Sequence, residues 1–171
     1  MQNNMNTTLT YKKAGKNDAP VIAALADRIW KKYYSSIITM EQIGYMLEKM
    51  YSAESLAQQM EEGQEFTLVY RDQEPVGYIS ISTKDDLHYF LHKFYIETAE
   101  QAKGIGTAVF NYILNELKSA ETIELTVNRQ NYKSINFYFK NGFTIKEVAD
   151  FDIGNNYFMN DFVMIKKIKK P

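Results

Sequence analysis

The 171-residue chain predicts an α/β (α+β) domain in which a central sheet of about seven strands is flanked by four or five helices. Three observations predict it. A strand, helix, strand succession over residues 88–127 makes a βαβ unit, so its two strands are parallel neighbours. Period-two patterning marks one hairpin over 66–82 and a second over 144–168. Hydrophobic residues make up 45% of the chain and charged residues 24%, the balance of a globular protein, and the length favours one domain spanning 1–171.

The elements follow in order. A first strand is predicted over 7–14. Asp18 then stands as a cap before Val21, Ile22, Leu25 and Ile29, whose spacing is helical, with Pro20 early enough that its missing N–H costs little. Thr39 followed by Gln42 has the capping-box spacing and opens a helix through Ile43, Met46, Leu47 and Met50. A short helix over 54–62 stops at Gly63. Phe66, Leu68 and Tyr70 alternate in a strand, the sequence Asp72-Gln73-Glu74-Pro75 turns, and residues 76–82 return. A strand over 88–96 leads through a glycine turn into a helix whose apolar side is Ile105, Val109, Tyr112, Ile113 and Leu117. Ile123, Leu125 and Val127 mark the next strand. Asn131 caps a helix ending at Gly142, on which Phe143 folds back. Two last strands, 144–152 and 157–168, flank the turn Gly154-Asn155-Asn156.

Composition excludes several classes. Twenty basic against 21 acidic residues give a net charge of -1, which removes the electrostatic case for nucleic acid; the closing Lys166, Lys167, Lys169 and Lys170 read as a solvated end. With no cysteine there is no disulfide framework, thiolate metal site or cysteine nucleophile, and no metal is expected. The N-terminus lacks the apolar core of a signal peptide and no run of about 18 apolar residues offers a membrane span, so a cytoplasmic location without membrane partners is expected.

The strongest chemical signal is Gln101-Ala102-Lys103-Gly104-Ile105-Gly106. Two glycines at a strand-to-helix junction let the backbone approach a ligand while the first helical N–H groups point outward, a nest suited to pyrophosphate. The pattern is neither the three-glycine dinucleotide fingerprint nor a Walker loop. On spacing alone, two glycines before a helix are more often a tight turn than a phosphate site.

Three motifs in order make the chain resemble the GNAT acetyltransferase superfamily: the Q/R-x-x-G-x-G/A pattern met at 101–106, the preceding strand His92-Lys93-Phe94-Tyr95-Ile96-Glu97, and a segment from Asn131 through Tyr138 to Gly142-Phe143. The resemblance implies a GNAT-type twisted sheet with a splayed parallel strand pair, and acetyl-CoA as cosubstrate. Its pantetheine arm would run along Phe94, Tyr95 and Ile96, one of whose N–H groups would serve as oxyanion donor. Its pyrophosphate would rest on the N–H groups of Lys103, Gly104, Ile105, Gly106 and Thr107, with Gln101 closing the turn. Tyr138 matches the family's general acid, a phenol able to protonate the departing thiolate; helix pattern alone favours a core aromatic, and its place in the motif reverses that order. Asn131 would orient CoA or cap its helix.

The base is open. One branch of the family places a glutamate where Phe90 stands here. His92 is the nearest alternative, acting directly or through water, with Glu97, Asp85 and Asp86 behind it. Glu41, Glu48, Glu54, Glu61, Glu62 and Glu65, against a single Lys49, bias the reading toward a cationic amine, unless they are solvated helix faces. Weaker similarity to the bacterial polyamine (spermidine/spermine) acetyltransferase branch, in Tyr33-Tyr34 through Leu56 and in Tyr157-Phe158-Met159-Asn160-Asp161, points the same way. The expected function is therefore acetyl transfer to the primary amine of a small molecule by direct attack in a ternary complex. A peptide acetyltransferase and a non-catalytic acyl-CoA sensor are the alternatives, and homodimers are common in the resembled family.

Overall fold

Apolar side chains on two faces of the same strands require cover on both sides, and β2 (Glu65–Arg71) and β3 (Glu74–Thr83) are buried on both. The computed structural model describes residues 8–101 and 104–168. The remaining strands are β1 (Leu9–Ala14), β4 (His88–Ile96), β5 (Thr122–Asn128), β6 (Thr144–Gly154) and β7 (Tyr157–Lys167). They form one seven-stranded sheet in the order β1-β2-β3-β4-β5-β7-β6. β4 and β5 are parallel, and every other pair is antiparallel.

On one face lie α1 (Ala19–Tyr33), α2 (Met40–Tyr51) and α3 (Ala53–Glu61), whose Ile22, Leu25, Ile43 and Leu56 pack on Phe66, Leu68 and Tyr78. The other face is covered by α5 (Ile105–Glu116) and α6 (Tyr132–Lys140), with Val109, Phe110 and Ile113 on Val69, Ile79 and Leu125. Among the described residues no helix is long and apolar enough to cross a membrane.

Local chemistry sets most element ends. The Thr39 hydroxyl accepts the Gln42 N–H at 3.1 Å; the Gln42 side chain, instead of closing the capping box, donates to the Phe158 carbonyl at 3.3 Å and ties α2 to β7. Positive φ angles at Asp72 and Gln73, and at Asn155 and Asn156, give both hairpins the turn whose twist matches the strands. After α6, Gly142 (φ +84°) donates to the Phe139 carbonyl at 3.0 Å and Phe143 to the Tyr138 carbonyl at 3.0 Å, the paired bonds of a Schellman stop.

Two expectations change. Asp18 holds the N-cap position of α1, but its side chain does not cap the helix; it ends a 3-10 turn (Lys16–Asp18), its carboxylate accepting from the Gly15 N–H at 3.0 Å and from Lys12 at 2.7 Å. The glycine turn does not join β4 to α5 directly either, since a short helix, α4 (Thr98–Gln101), intervenes. It is held from outside: Arg28 pairs with Glu97 at 2.8 Å, and Arg71 with the buried Glu100 at 2.7 Å. Thr7, at the head of the first predicted strand, and Lys169 and Lys170 of the basic tail lie outside the described residues.

Gly77 of β3 sits opposite Ile96 at the end of β4. A β-carbon there would stand 2.5 Å from the Tyr95 carbonyl oxygen, an approach that only movement of the β4 backbone relieves. Gly77→Ala is therefore expected to lower stability by about 1–3 kcal/mol, read as a lower urea midpoint at unchanged m-value.

Candidate active site

The site begins where two strands part. β4 and β5 pair from His88↔Thr122 to Leu91↔Leu125 and no further. Across β4 the register to β3 shifts, Ile81 facing Leu91 and Ser80 facing Lys93, so His92 is the extra residue of a bulge. A bulge bends its strand and raises its twist. Past that point β4 follows β3 while β5 follows β7, and a wedge opens between them. Glu97 donates its N–H to Val76 on the β3 side, so alternation turns the N–H and C=O of Phe94 toward the wedge.

Two cavities meet there. The first is lined by Phe94, Ile96, Gly104, Gly106, Thr107, Lys133, Ser134, Phe137 and Tyr138. Gly104, at φ +74°, is the N-cap of α5, in the left-handed region that favours glycine. A β-carbon on Gly104 would meet nothing within 4 Å. The opening turn of α5 has N–H groups without intrahelical acceptors and carries the positive end of the helix dipole. Phe94 and Phe137, stacked with centroids 5.6 Å apart, supply an apolar wall. This combination suits an extended ligand with anionic phosphates at one end and a less polar arm, as acetyl-CoA has.

The second cavity lies toward α1 and α2 and is aromatic. Trp30 stacks on Tyr34 at 4.6 Å, is tilted against Tyr95 at 5.6 Å and meets Tyr51 edge-on at 6.0 Å. Burial pushes the Tyr34 phenol up to about 12. His92 lines this cavity with its Nε2 2.6 Å from the Ser82 hydroxyl. Burial, and then the neighbouring Lys93 ammonium, push the His92 imidazole down to about 4, so it is neutral at pH 7 and a weak base. Lys93 is itself lowered to about 8 by burial and reaches the Gln59 amide oxygen at 2.5 Å.

Asp161 of β7 faces the same cavity at 1% exposure. Burial raises its carboxyl to about 6, against a hydrogen bond from Thr126 and the positive charge of Arg129, which pull it down. Tyr138, on α6, is buried and lines both cavities, as do Phe94, Ile96 and Ser134. Desolvation pushes its phenol above its ordinary value, and Tyr34 and Tyr33 add to the rise.

A family model, the acetyltransferase (GNAT) domain, matches residues 35–152, more than half of the chain. The chain belongs to the GNAT acetyltransferases. It is an acetyl-CoA-dependent N-acetyltransferase by that membership. A spermidine N(1)-acetyltransferase from Thermoplasma acidophilum is 25% identical over 167 residues, covering 94% of this chain and 98% of the relative. The crystal structure of PaiA N-acetyltransferase from Thermoplasma acidophilum, in complex with coenzyme A, superposes with a TM-score of 0.78 at 25% identity over 94% of this chain and 99% of that one. A GCN5-related N-acetyltransferase from Rhodopseudomonas palustris shares the fold at TM-score 0.77 and 17% identity, over 94% and 96% of the two chains.

In this GNAT enzyme the residues singled out from sequence fall on both sides of the wedge. Phe94, Ile96, Gly104, Gly106 and Thr107 line the first cavity, with Ile105 buried at the start of α5. Lys103 and the Gln101 side chain lie outside the described residues. Tyr95, grouped with the donor-binding strand, turns its ring into the aromatic cavity instead. Asn131 also faces that second cavity. Its Oδ1 accepts from the Ser134 N–H at 3.2 Å, the cap of α6, and from the Tyr33 hydroxyl at 2.7 Å; its Nδ2 donates to the Tyr34 hydroxyl at 3.3 Å. Both polar ends of the amide thus join α6 to the end of α1, which accounts for Asn131 without a contact to CoA.

The six glutamates between Glu41 and Glu65 are all exposed, and none lines the cavity. Glu61 and Glu65 pair with Lys16 and Lys13 on the surface. The carboxylate that does face the cavity, Asp161, escaped sequence reasoning as a functional group. Its signal was present: Met159, Asp161 and Val163 share one face of β7, so an aspartate occupies an inward position of an alternating strand.

Proposed function

We propose that this enzyme transfers the acetyl group of acetyl-CoA to the primary amine of a small cationic acceptor of the polyamine class, by direct attack in a ternary complex. The observation that carries this reading is the composition of the second cavity. The rings of Trp30, Tyr34 and Tyr95 line it, packed on one another, and an aromatic ring attracts an ammonium group by about 0.5–2 kcal/mol. Asp161 is the carboxylate among its described lining residues. The Lys93 ammonium, which also lines the cavity, is drawn aside to the Gln59 amide oxygen at 2.5 Å, which leaves aromatic rings and a carboxylate as the groups that favour an alkylammonium over a carboxylate or a neutral alcohol. The relative named for spermidine supports the same class.

The roles divide along the wedge. Backbone N–H groups at Gly104, Ile105, Gly106 and Thr107, with Lys103, hold the pyrophosphate; Phe94 and Ile96 guide the pantetheine arm. The Phe94 N–H faces the thioester oxygen, where a fixed donor stabilises developing negative charge. From the junction of the two cavities, Tyr138 gives its proton to the sulfur.

Thiol release should be followed with acetyl-CoA and spermidine, spermine, an aminoglycoside, free amino acids and an amino-terminal peptide. The expected result is a kcat/KM for the polyamines at least tenfold above that for the amino acids and the peptide. Preference for the peptide would replace this reading with a protein acetyltransferase.

A further inference from the structure

We propose that the Asp161 carboxylate is the catalytic base, seating the acceptor's ammonium in the aromatic cavity and taking the proton that the nitrogen must lose before it attacks. The inference rests on the cationic-amine reading above. An alkylammonium with pKa near 10.4 is almost wholly protonated at neutral pH and has no lone pair to offer, so a proton acceptor inside the cavity lets the bound, protonated form react.

The other candidates are ill placed. Phe90 carries no proton-accepting group, and its ring lies against the His92 ring at 4.7 Å. His92 has its Nε2 occupied by Ser82 and is a weak base because of its burial and, after that, the Lys93 cation. Asp85 is turned to His88 at 2.7 Å on the exposed β3–β4 turn, and Glu97 is paired with Arg28. None of Phe90, Asp85 and Glu97 lines the acceptor cavity.

Asp161 stands where the task needs it. It faces Asn128 of β5 in register, on the far side of the wedge from β4 and beyond the last β4–β5 pair. Among the described residues it makes no ion pair, and Arg129, whose positive charge pulls on its carboxyl, is taken by Asp150 at 2.7 Å. The charged and titratable groups around it are Arg129 after β5, Asp150 on β6, Tyr34 following α1, and across the cavity His92 and Lys93 on β4 and Tyr138 on α6. A buried carboxylate without a cation of its own is stabilised by an ammonium that arrives with the substrate. Burial also holds its proton affinity above that of an ordinary aspartate, which makes it a better base.

The step balances. The Asp161 carboxylate takes one proton from the ammonium, leaving a neutral amine. That nitrogen forms the C–N bond to the thioester carbonyl as the C–S bond breaks, the sulfur takes the Tyr138 proton, and the new amide's surplus proton returns to the Tyr138 oxygen. Asp161 then releases its proton to solvent, so acetyl-CoA and ammonium give amide, free thiol and one proton.

The test uses Asp161→Asn with two acceptors, spermidine and trifluoroethylamine, the second being largely neutral at pH 7. With spermidine, kcat/KM is expected to fall about 10²-fold or more, with the acetyl-CoA KM unchanged and the acid limb of the wild-type pH profile, near 6, gone. With trifluoroethylamine, which has no proton to lose first, the fall should be less than tenfold. Equal loss with both acceptors, or an unaltered acid limb, overturns the base assignment and leaves Asp161 structural. Full activity of Asp161→Asn with spermidine overturns it as well. If the wild-type enzyme acetylates no amine in the panel, the cationic-amine reading itself fails and this inference falls with it.

Discussion

Tyr138→Phe is expected to lower turnover by about two to four orders of magnitude, with acetyl-CoA affinity kept and the melting temperature little changed. The substitution removes one hydroxyl and keeps the ring. That ring packs against Phe143 at 5.4 Å, Phe137 at 5.6 Å and Phe94 at 6.5 Å, and phenylalanine makes the same contacts. Burial raises the phenol's proton affinity, so the group stays protonated from pH 6 to 9 and is available as an acid throughout. It should therefore add no alkaline limb to the pH profile below about pH 10. The departing thiolate then draws its proton from a donor already in place at the meeting of the two cavities. Free-thiol release and calorimetric titration with CoA separate turnover from binding. Wild-type turnover in Tyr138→Phe would make Tyr138 a core aromatic and return the proton transfer to water.

How much of this was legible beforehand depends on the range of the interactions. The stop of α6 was readable because Gly142 and Phe143 satisfy carbonyls three to five residues back, and a Schellman motif is local. The two hairpin turns and the Thr39 cap are local for the same reason. The parallel β4–β5 pair followed from chain order, since a helix between two strands dictates their direction. What escaped is non-local. α4 is four residues long and depends on Arg28 and Arg71, which lie 69 and 29 residues earlier in the chain. Asp161 enters the site because β7 inserts between β5 and β6; strand alternation shows that it points inward, but the cavity it points into is made by α1, α2 and β4. His92 was visible as an imidazole in the right strand, whereas the bulge that carries it and the burial that weakens it as a base arise from the pairing of β4 with β3. The exposed glutamates of α2 and α3 are the converse case. Their number suggested a cationic ligand, yet on an amphipathic helix the acidic face is the solvated one, and the single carboxylate that counts lies on a strand.

Phe143→Ala should show the largest loss of stability, about 3–5 kcal/mol. Phe143 is 2% exposed and sits just after the glycine that ends α6, with its ring against Phe110 of α5 at 5.8 Å and Tyr138 of α6 at 5.4 Å. Its backbone bond to the Tyr138 carbonyl survives the substitution, so the helix stop persists and the loss is that of the ring. Truncation leaves a void where α5 and α6 converge on the sheet, and neighbours held by strand pairing collapse into it only in part. For a chain of this length each kcal/mol lowers the melting temperature by about 2–4 °C, so a fall of roughly 6–20 °C is expected, with Phe143→Leu recovering more than half. A loss below about 1 kcal/mol in urea would mean that the ring does not seal the two helices. The same void removes one wall behind Tyr138, the residue that must reach the sulfur across the wedge. Turnover of Phe143→Ala, measured well below its melting temperature, should therefore drop while the acetyl-CoA KM holds, because the glycine start of α5 is anchored from the other end by α4 and its arginines.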